Sequence, residues 1–123
     1  MKKLIAVRGA ACSENTVEDI TKNVCYMCNE IVTKNNIKEK DLVSIHFTIT
    51  KEIDVLNPAT ALRKGETVID FTKTALFCSQ EAEIQGGMKN VIRVMITAYS
   101  SVKNKTNIYF NGAEKLRTDY CTK

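Results

Sequence analysis

The sequence predicts an α+β fold: a mixed β-sheet with helices packed on one face, in the element order β-α-β-α-β-β-β. Three observations carry that expectation. One long segment repeats its apolar residues at helical spacing, and a short proline-led segment reads as a second helix. Five apolar or β-branched runs between polar turns read as strands. No repeat, low-complexity tract or linker interrupts them, so residues 1–123 are expected to form one domain, with 118–123 as a flexible tail.

In chain order, residues 3–8 form a strand ending at Gly9. Residues 13–34 form a helix, because Val17, Ile20, Val24, Met27 or Cys28, and Ile31 recur on one face. The start SENTVED offers cap residues and first-turn acids that suit the helix dipole. NNIKEKD turns into the β-branched run LVSIHFTIT. In NPATALRKG, Asn57 caps a short helix, Pro58 fits its first turn and Gly65 closes it. Strands follow at about 73–78, 91–99 and 107–116. A sheet this small exposes edges and part of a face, and self-association is a natural remedy.

Composition removes several function classes. No apolar run approaches the ~20 residues of a membrane span, and the N-terminal apolar run is too short for a signal peptide and breaks at Arg8, so a cytoplasmic protein is expected. Five cysteines, odd in number and unevenly spaced, fit reduced thiols better than a disulfide framework. Cys25 and Cys28 have the spacing of half a zinc site, but there is no second such pair and His46 is the only histidine. They are read as helix packing, with no metal or cofactor expected. The net charge of +4 is spread over scattered lysines without an aromatic nucleic-acid motif, so no nucleic acid partner is expected. Small anionic metabolites remain compatible with a mild positive field.

The cations carry the sharper signal. Fourteen lysines supply the surface, against four arginines: Arg8, Arg63, Arg93 and Arg117. A guanidinium fork grips carboxylates and phosphates in a way lysine does not match. Arg8 and Arg93 stand at strand positions amid apolar residues, where an unpaired charge is prohibitively costly. Glu81, in FCSQE, is the main nearby acid: an ion-pair partner, a general acid or base, or an acceptor for a substrate hydroxyl. Cys78 lies three residues before it, and a nucleophilic cysteine would need His46 as its base. Cations, one carboxylate and Tyr109, without a convincing metal or nucleophile, suit a reaction on a multiply anionic small molecule in which the protein supplies charge and shape.

These pieces resemble a known family. VRGA (7–10), NPATALR (57–63), CSQE (78–81), GGMKNVIRVM (86–95), Tyr109 and the pair Leu116-Arg117 occur in the order found in monofunctional chorismate mutases of the trimeric α/β-barrel class. The resemblance implies a pseudo-α/β-barrel homotrimer with active sites at subunit interfaces and a Claisen rearrangement of chorismate to prephenate, on the route to phenylalanine and tyrosine. It implies that Arg93 donates to the ether oxygen and a neighbouring carboxylate, and that Arg8 and Tyr109 hold the enolpyruvyl carboxylate. Glu81 would accept from the ring hydroxyl beside Cys78, with Phe77, Ser79, Gln80 and Leu116 along the pocket. Arg63, Asn57 and Ala59 would come from the adjacent subunit, and Arg117 from a mobile C-terminal segment covering the site. Two positions depart from the family pattern: Asn57 replaces a common phenylalanine, and Phe77 a small hydroxyl residue.

Two other readings share parts of this pattern. Small trimeric enamine/imine deaminases also use an arginine to grip a carboxylate, but leave Cys78, Glu81, Arg93 and Tyr109 unexplained as a set. A non-catalytic binder of a carboxylate metabolite would draw on Asn57 and Phe77.

Overall fold

The computed structural model describes residues 1–116. Its elements are Lys3–Cys12 (β1), Val17–Lys34 (α1), Leu42–Ile49 (β2), Pro58–Lys64 (α2), Ala75–Gln80 (β3), Val91–Ser100 (β4) and Ile108–Phe110 (β5), with 3-10 turns at Glu39–Asp41 and Ala113–Leu116. The strands form one mixed sheet in the order β3-β2-β4-β1-β5. β4 runs antiparallel to both β1 and β2, while β1–β5 and β2–β3 are parallel. The expected α+β architecture and element order are therefore present. Among the described residues, no helix is long and apolar enough to cross a membrane.

The two-residue period of the strands separates the sheet into unlike faces. Val7 pairs with Ile96, Ile96 with Ile45, and Ile45 with Leu76; the first three belong to the main core with Ile20, Val24, Met27 and Ile31 of α1, and half-buried Leu76 packs against it. Each of those α1 side chains is fully buried, and burying one stabilises the fold by roughly 1.5–3 kcal/mol. The opposite face carries Arg8, His46, Thr48, Arg93, Met95 and Tyr99, and no helix lies over most of it. At one end the 113–116 turn folds onto this open face, where Ala10, Val91, Tyr109 and Ala113 form a second, small cluster with Cys12, Met88 and Leu116.

Several boundaries differ from expectation, each for a physical reason. β1 continues past Gly9 to Cys12 because β4 and β5 pair with it on both sides. Gly9 serves close approach instead: a Cβ there would stand 2.9 Å from Met27 Cγ and 3.1 Å from Ile31 Cδ1, so its absence lets α1 lie on the sheet. α1 begins at Val17, not Ser13, because the Ser13 N–H donates to the Asn90 carbonyl and extends the sheet region. Thr16 is the cap, its side chain accepting from the Asp19 N–H. β3 lies two residues later than expected, and β5 stops at Phe110 because Asn111 and Gly112 take positive φ of 55° and 94°.

α2 starts as expected, with Asn57 capping the Ala59 N–H at 2.8 Å and Pro58 in the first turn. Gly65 ends it with φ of −85°, so a left-handed cap is not why glycine stands there. A Cβ at Gly65 would meet Cys25 Sγ at 2.3 Å and the Ala61 carbonyl at 2.9 Å. Cys25 is thus the point where α1 meets the end of α2, and Cys28 is fully buried in the main core. Both are packing residues. Gly65→Ala is expected to lower stability by about 1–3 kcal/mol through overpacking, read as a lower urea midpoint. The loss should shrink in a Cys25→Ala background, which removes the clashing sulfur.

Candidate active site

The open face reads as a grid of side chains. One row runs Ser79–Thr48–Arg93–Ala10–Tyr109 across β3, β2, β4, β1 and β5. The next row runs Phe77–His46–Met95–Arg8. Arg93 therefore stands in the middle of the central strand, with flanking strands fixing its backbone. Its neighbour Ala10 is small, which leaves room between the guanidinium and Tyr109. Arg8, His46, Thr48, Arg93, Met95 and Tyr109 line a cavity of about 200 Å³.

Arg93 answers the burial problem raised by its sequence in an incomplete way. Its side chain keeps 40% exposure on the open face, and Glu81 Oε2 lies 3.4 Å from its Nε. That separation permits charge attraction, yet Nε is buried and makes no hydrogen bond among the described residues. Glu81 is instead held by the Thr48 hydroxyl, which donates to the same Oε2. An unsatisfied buried donor costs roughly 1–3 kcal/mol, a cost removable by a ligand oxygen or by a small shift of Glu81. The Glu81 backbone is anchored too, its N–H donating to the Ile49 carbonyl at 2.8 Å.

Arg8 lies on the same face one row from Arg93, and its backbone N–H donates to Asn107 Oδ1 at 2.8 Å. Tyr109 is 3% exposed and reaches the cavity from the small cluster. Ser79 binds His46, with Oγ and Nε2 2.6 Å apart. Phe77, 65% exposed, meets the same imidazole edge-to-face at 5.2 Å. Gln80 lines an adjoining cavity of about 290 Å³ together with Glu81, Arg93 and the 82–89 loop, and Arg93 borders both cavities. Leu116 packs beside Tyr109 in the small cluster.

Within one chain, other expected site residues do not meet Arg93. Cys78 pairs with Phe47 and packs against the main core, so its thiol faces the helices and its side chain lines neither cavity. Strand alternation explains this, because Phe77 and Ser79 take the open face. Asn57 and Arg63 are exposed on α2, beyond the sheet's covered face; Arg63 donates to Thr60 Oγ1 at 3.2 Å. Ala59 is buried in the core. Arg117 and the 118–123 tail lie outside the described residues.

Thr48 and His46 are functional-looking residues that the arginine count could not find. Their signal was the alternation Ser44, His46, Thr48 within an otherwise apolar strand. Three polar residues at period two mark a face that is not core.

Comparisons with known proteins agree on one family. The family model for chorismate mutase type I matches residues 4–120. Chorismate mutase AroH of Bacillus subtilis is 28% identical over 116 residues, covering 92% of this chain and 89% of that protein. The solved structure of a chorismate mutase from Clostridium thermocellum matches with a TM-score of 0.81 at 33% identity, covering 90% of this chain and 98% of that one.

The thiol chemistry is separately testable. Burial pushes the Cys78 thiol above its ordinary range, which favours the neutral form. Since only the thiolate reacts, alkylation of Cys78 by iodoacetamide should be slower at neutral pH than that of free cysteine. Its rate should rise with pH without levelling until beyond the ordinary thiol range, as followed by peptide mass mapping. Fast alkylation at neutral pH would place an activated thiolate there.

Proposed function

The chain belongs to the chorismate mutase type I family, and we propose that the open-face site around Arg93 rearranges chorismate to prephenate. The observation that carries this reading is the pairing of a central-strand guanidinium, one buried nitrogen of which has no hydrogen-bond partner among the described residues, with a carboxylate fixed by Thr48. That arrangement offers oriented charge, and the reaction asks for little else.

In the rearrangement the ether carbon–oxygen bond breaks as a carbon–carbon bond forms, and no proton need move. Negative charge grows on the ether oxygen in the transition state. Arg93 is aimed at that oxygen, and a guanidinium fixed beforehand stabilises the transition state more than the ground state. Arg8, one row from Arg93, and Tyr109, on the far side of Ala10, hold the enolpyruvyl carboxylate. Glu81 accepts from the ring hydroxyl, which fixes the ring relative to the side chain. Cys78 contributes through its backbone within β3, since its side chain faces the core. Phe77, Ser79 and Gln80 border the ring end, and Leu116 the end near Tyr109. Holding the dianion in a compact chair supplies the orientational part of the barrier lowering.

The protein works as a homotrimer in the cytoplasm, with residues 1–123 forming one domain of each subunit. The open face supports the assembly: Leu4, Phe77, Met95 and Tyr99 are exposed there, and a sheet face of this size gains by being covered. Asn57 and Arg63, exposed on α2, then reach the mouth of a neighbour's site, where Arg63 meets the ring carboxylate.

Chorismate consumption with prephenate formation, measured without metal or cofactor, tests the activity; absence of turnover in intact protein overturns it. Arg93→Lys should fold and associate like the parent yet lose about 100-fold or more in kcat, since removing such a donor costs roughly 3 kcal/mol. The interface assignment has its own test. Inactive Arg93→Lys and Arg63→Ala subunits, unfolded together and refolded, should recover part of the parental activity, because mixed trimers contain some interfaces with both native arginines. No recovery, with mixed trimers shown by mass, would place the two residues in one subunit's site.

A further inference from the structure

Arg93 and Glu81 stand close enough for a direct hydrogen bond and do not make one. Glu81 Oε2 lies 3.4 Å from Arg93 Nε, a buried donor with no hydrogen-bond partner among the described residues. A charge-assisted bond between such groups is about 2.8 Å long, so a small side-chain shift toward Nε would close it. Leaving a buried donor open is unfavourable, and some contact must therefore hold the carboxylate back. The Glu81 backbone, bonded through its N–H to the Ile49 carbonyl, fixes where the side chain starts but not where it ends. The restraint is the Thr48 hydroxyl, which donates to the same Oε2. Thr48 is the register partner of Arg93 across β2 and β4, so hydroxyl and guanidinium approach one oxygen from neighbouring strands and compete for it.

We infer that Thr48 is a positioning residue whose hydroxyl withholds Glu81 from Arg93 and so keeps the guanidinium open for a ligand. For the identity of that ligand the inference rests on the reading above. The surroundings leave Glu81 as the acid that can neutralise Arg93. Two other carboxylates line the adjoining cavity, and both are engaged: Glu83 with Lys51 at 2.8 Å, and Glu52 with the Asn90 N–H at 2.8 Å. On its other side Arg93 has Ala10 as register partner, which offers only a methyl. Without the Thr48 hydroxyl, Oε2 lacks a donor and Nε still lacks an acceptor, and each satisfies the other. That closed pair stabilises the empty protein, and a substrate must break it before its oxygen reaches Arg93. Thr48 thus favours activity over stability, as active-site groups often do. It touches no bond that forms or breaks and acts through Glu81 and Arg93.

The test uses the purified full chain with Thr48→Val, which keeps the shape and removes the donor, and Thr48→Ser, which keeps the donor. In chorismate turnover Thr48→Val should lose about 10-fold in kcat, with a smaller rise in KM. Its ligand-free melting temperature should equal or exceed the parent's, and serine should recover most of the lost kcat. In a Glu81→Ala background Thr48→Val should change kcat little, because no carboxylate is left to restrain. Parental kcat in Thr48→Val overturns the inference. So does a loss that comes with a lower melting temperature and persists in the Glu81→Ala background, the mark of a purely structural role. A further readout is independent of turnover. The Arg93 Nε–H proton resonance, assigned by its absence in Arg93→Lys, should move downfield in ligand-free Thr48→Val as it gains a carboxylate acceptor. The two readings fail separately. That shift, with no turnover by the parent, keeps the restraint and removes the reaction; parental turnover, with neither shift nor kcat loss in Thr48→Val, keeps the reaction and removes the restraint.

Discussion

The alternation of side chains along β4 is the constraint on which the rest of this structure depends. Ile92, Val94, Ile96 and Ala98 point into the core, and Arg93, Met95, Thr97 and Tyr99 point away from it. Because the period is two, the same strand holds the fold together on one face and presents a guanidinium on the other. A slip of one residue would exchange Arg93 with Ile92 or Val94 and destroy both. The register is pinned by pairing to β1 over ten residues and to β2 across a single irregularity near Leu42 and Ser44.

From that constraint the site follows as a consequence of sheet order. β4 lies third of five, so residues of β1, β2, β3 and β5 can all be set around Arg93 with backbone rigidity. Arg93 has Thr48 on one side and Ala10 on the other. The hydroxyl orients Glu81, and the methyl leaves space. Gly9 contributes from the covered face, where the missing Cβ lets α1 seat closely behind the strand that carries Arg8. Packing and chemistry are thus coupled through a few small residues on β1.

The energetics suit a reaction that needs orientation and fixed charge. Among the described residues no cysteine at this site is activated: burial favours the neutral form of the Cys78 thiol, and strand alternation turns it toward the core. What is prepared is a partly unsatisfied arginine beside a restrained carboxylate. Such a pair is costly in the empty protein and least costly when a ligand supplies the missing acceptor. Preorganised charge of this kind lowers a barrier without rearranging as the reaction proceeds.

The sequence alone determined the fold class, the order of elements and the presence of arginines within apolar strands. Helical and strand periods are local properties, the proline-led start of α2 is a local signal, and an arginine in an apolar strand announces a partner wherever the strand lies. It did not determine the end of β1, since strands on both sides carry that strand past a glycine, nor the shortness of β5, which depends on two positive-φ residues. Nor did it determine which way Cys78 faces, because the phase of a short edge strand is set by its pairing with β2. Thr48 as the holder of Glu81 and His46 beside the arginines were decided only by tertiary structure. Hydrogen bonds across strands separated by thirty-three residues leave no periodic trace in either segment.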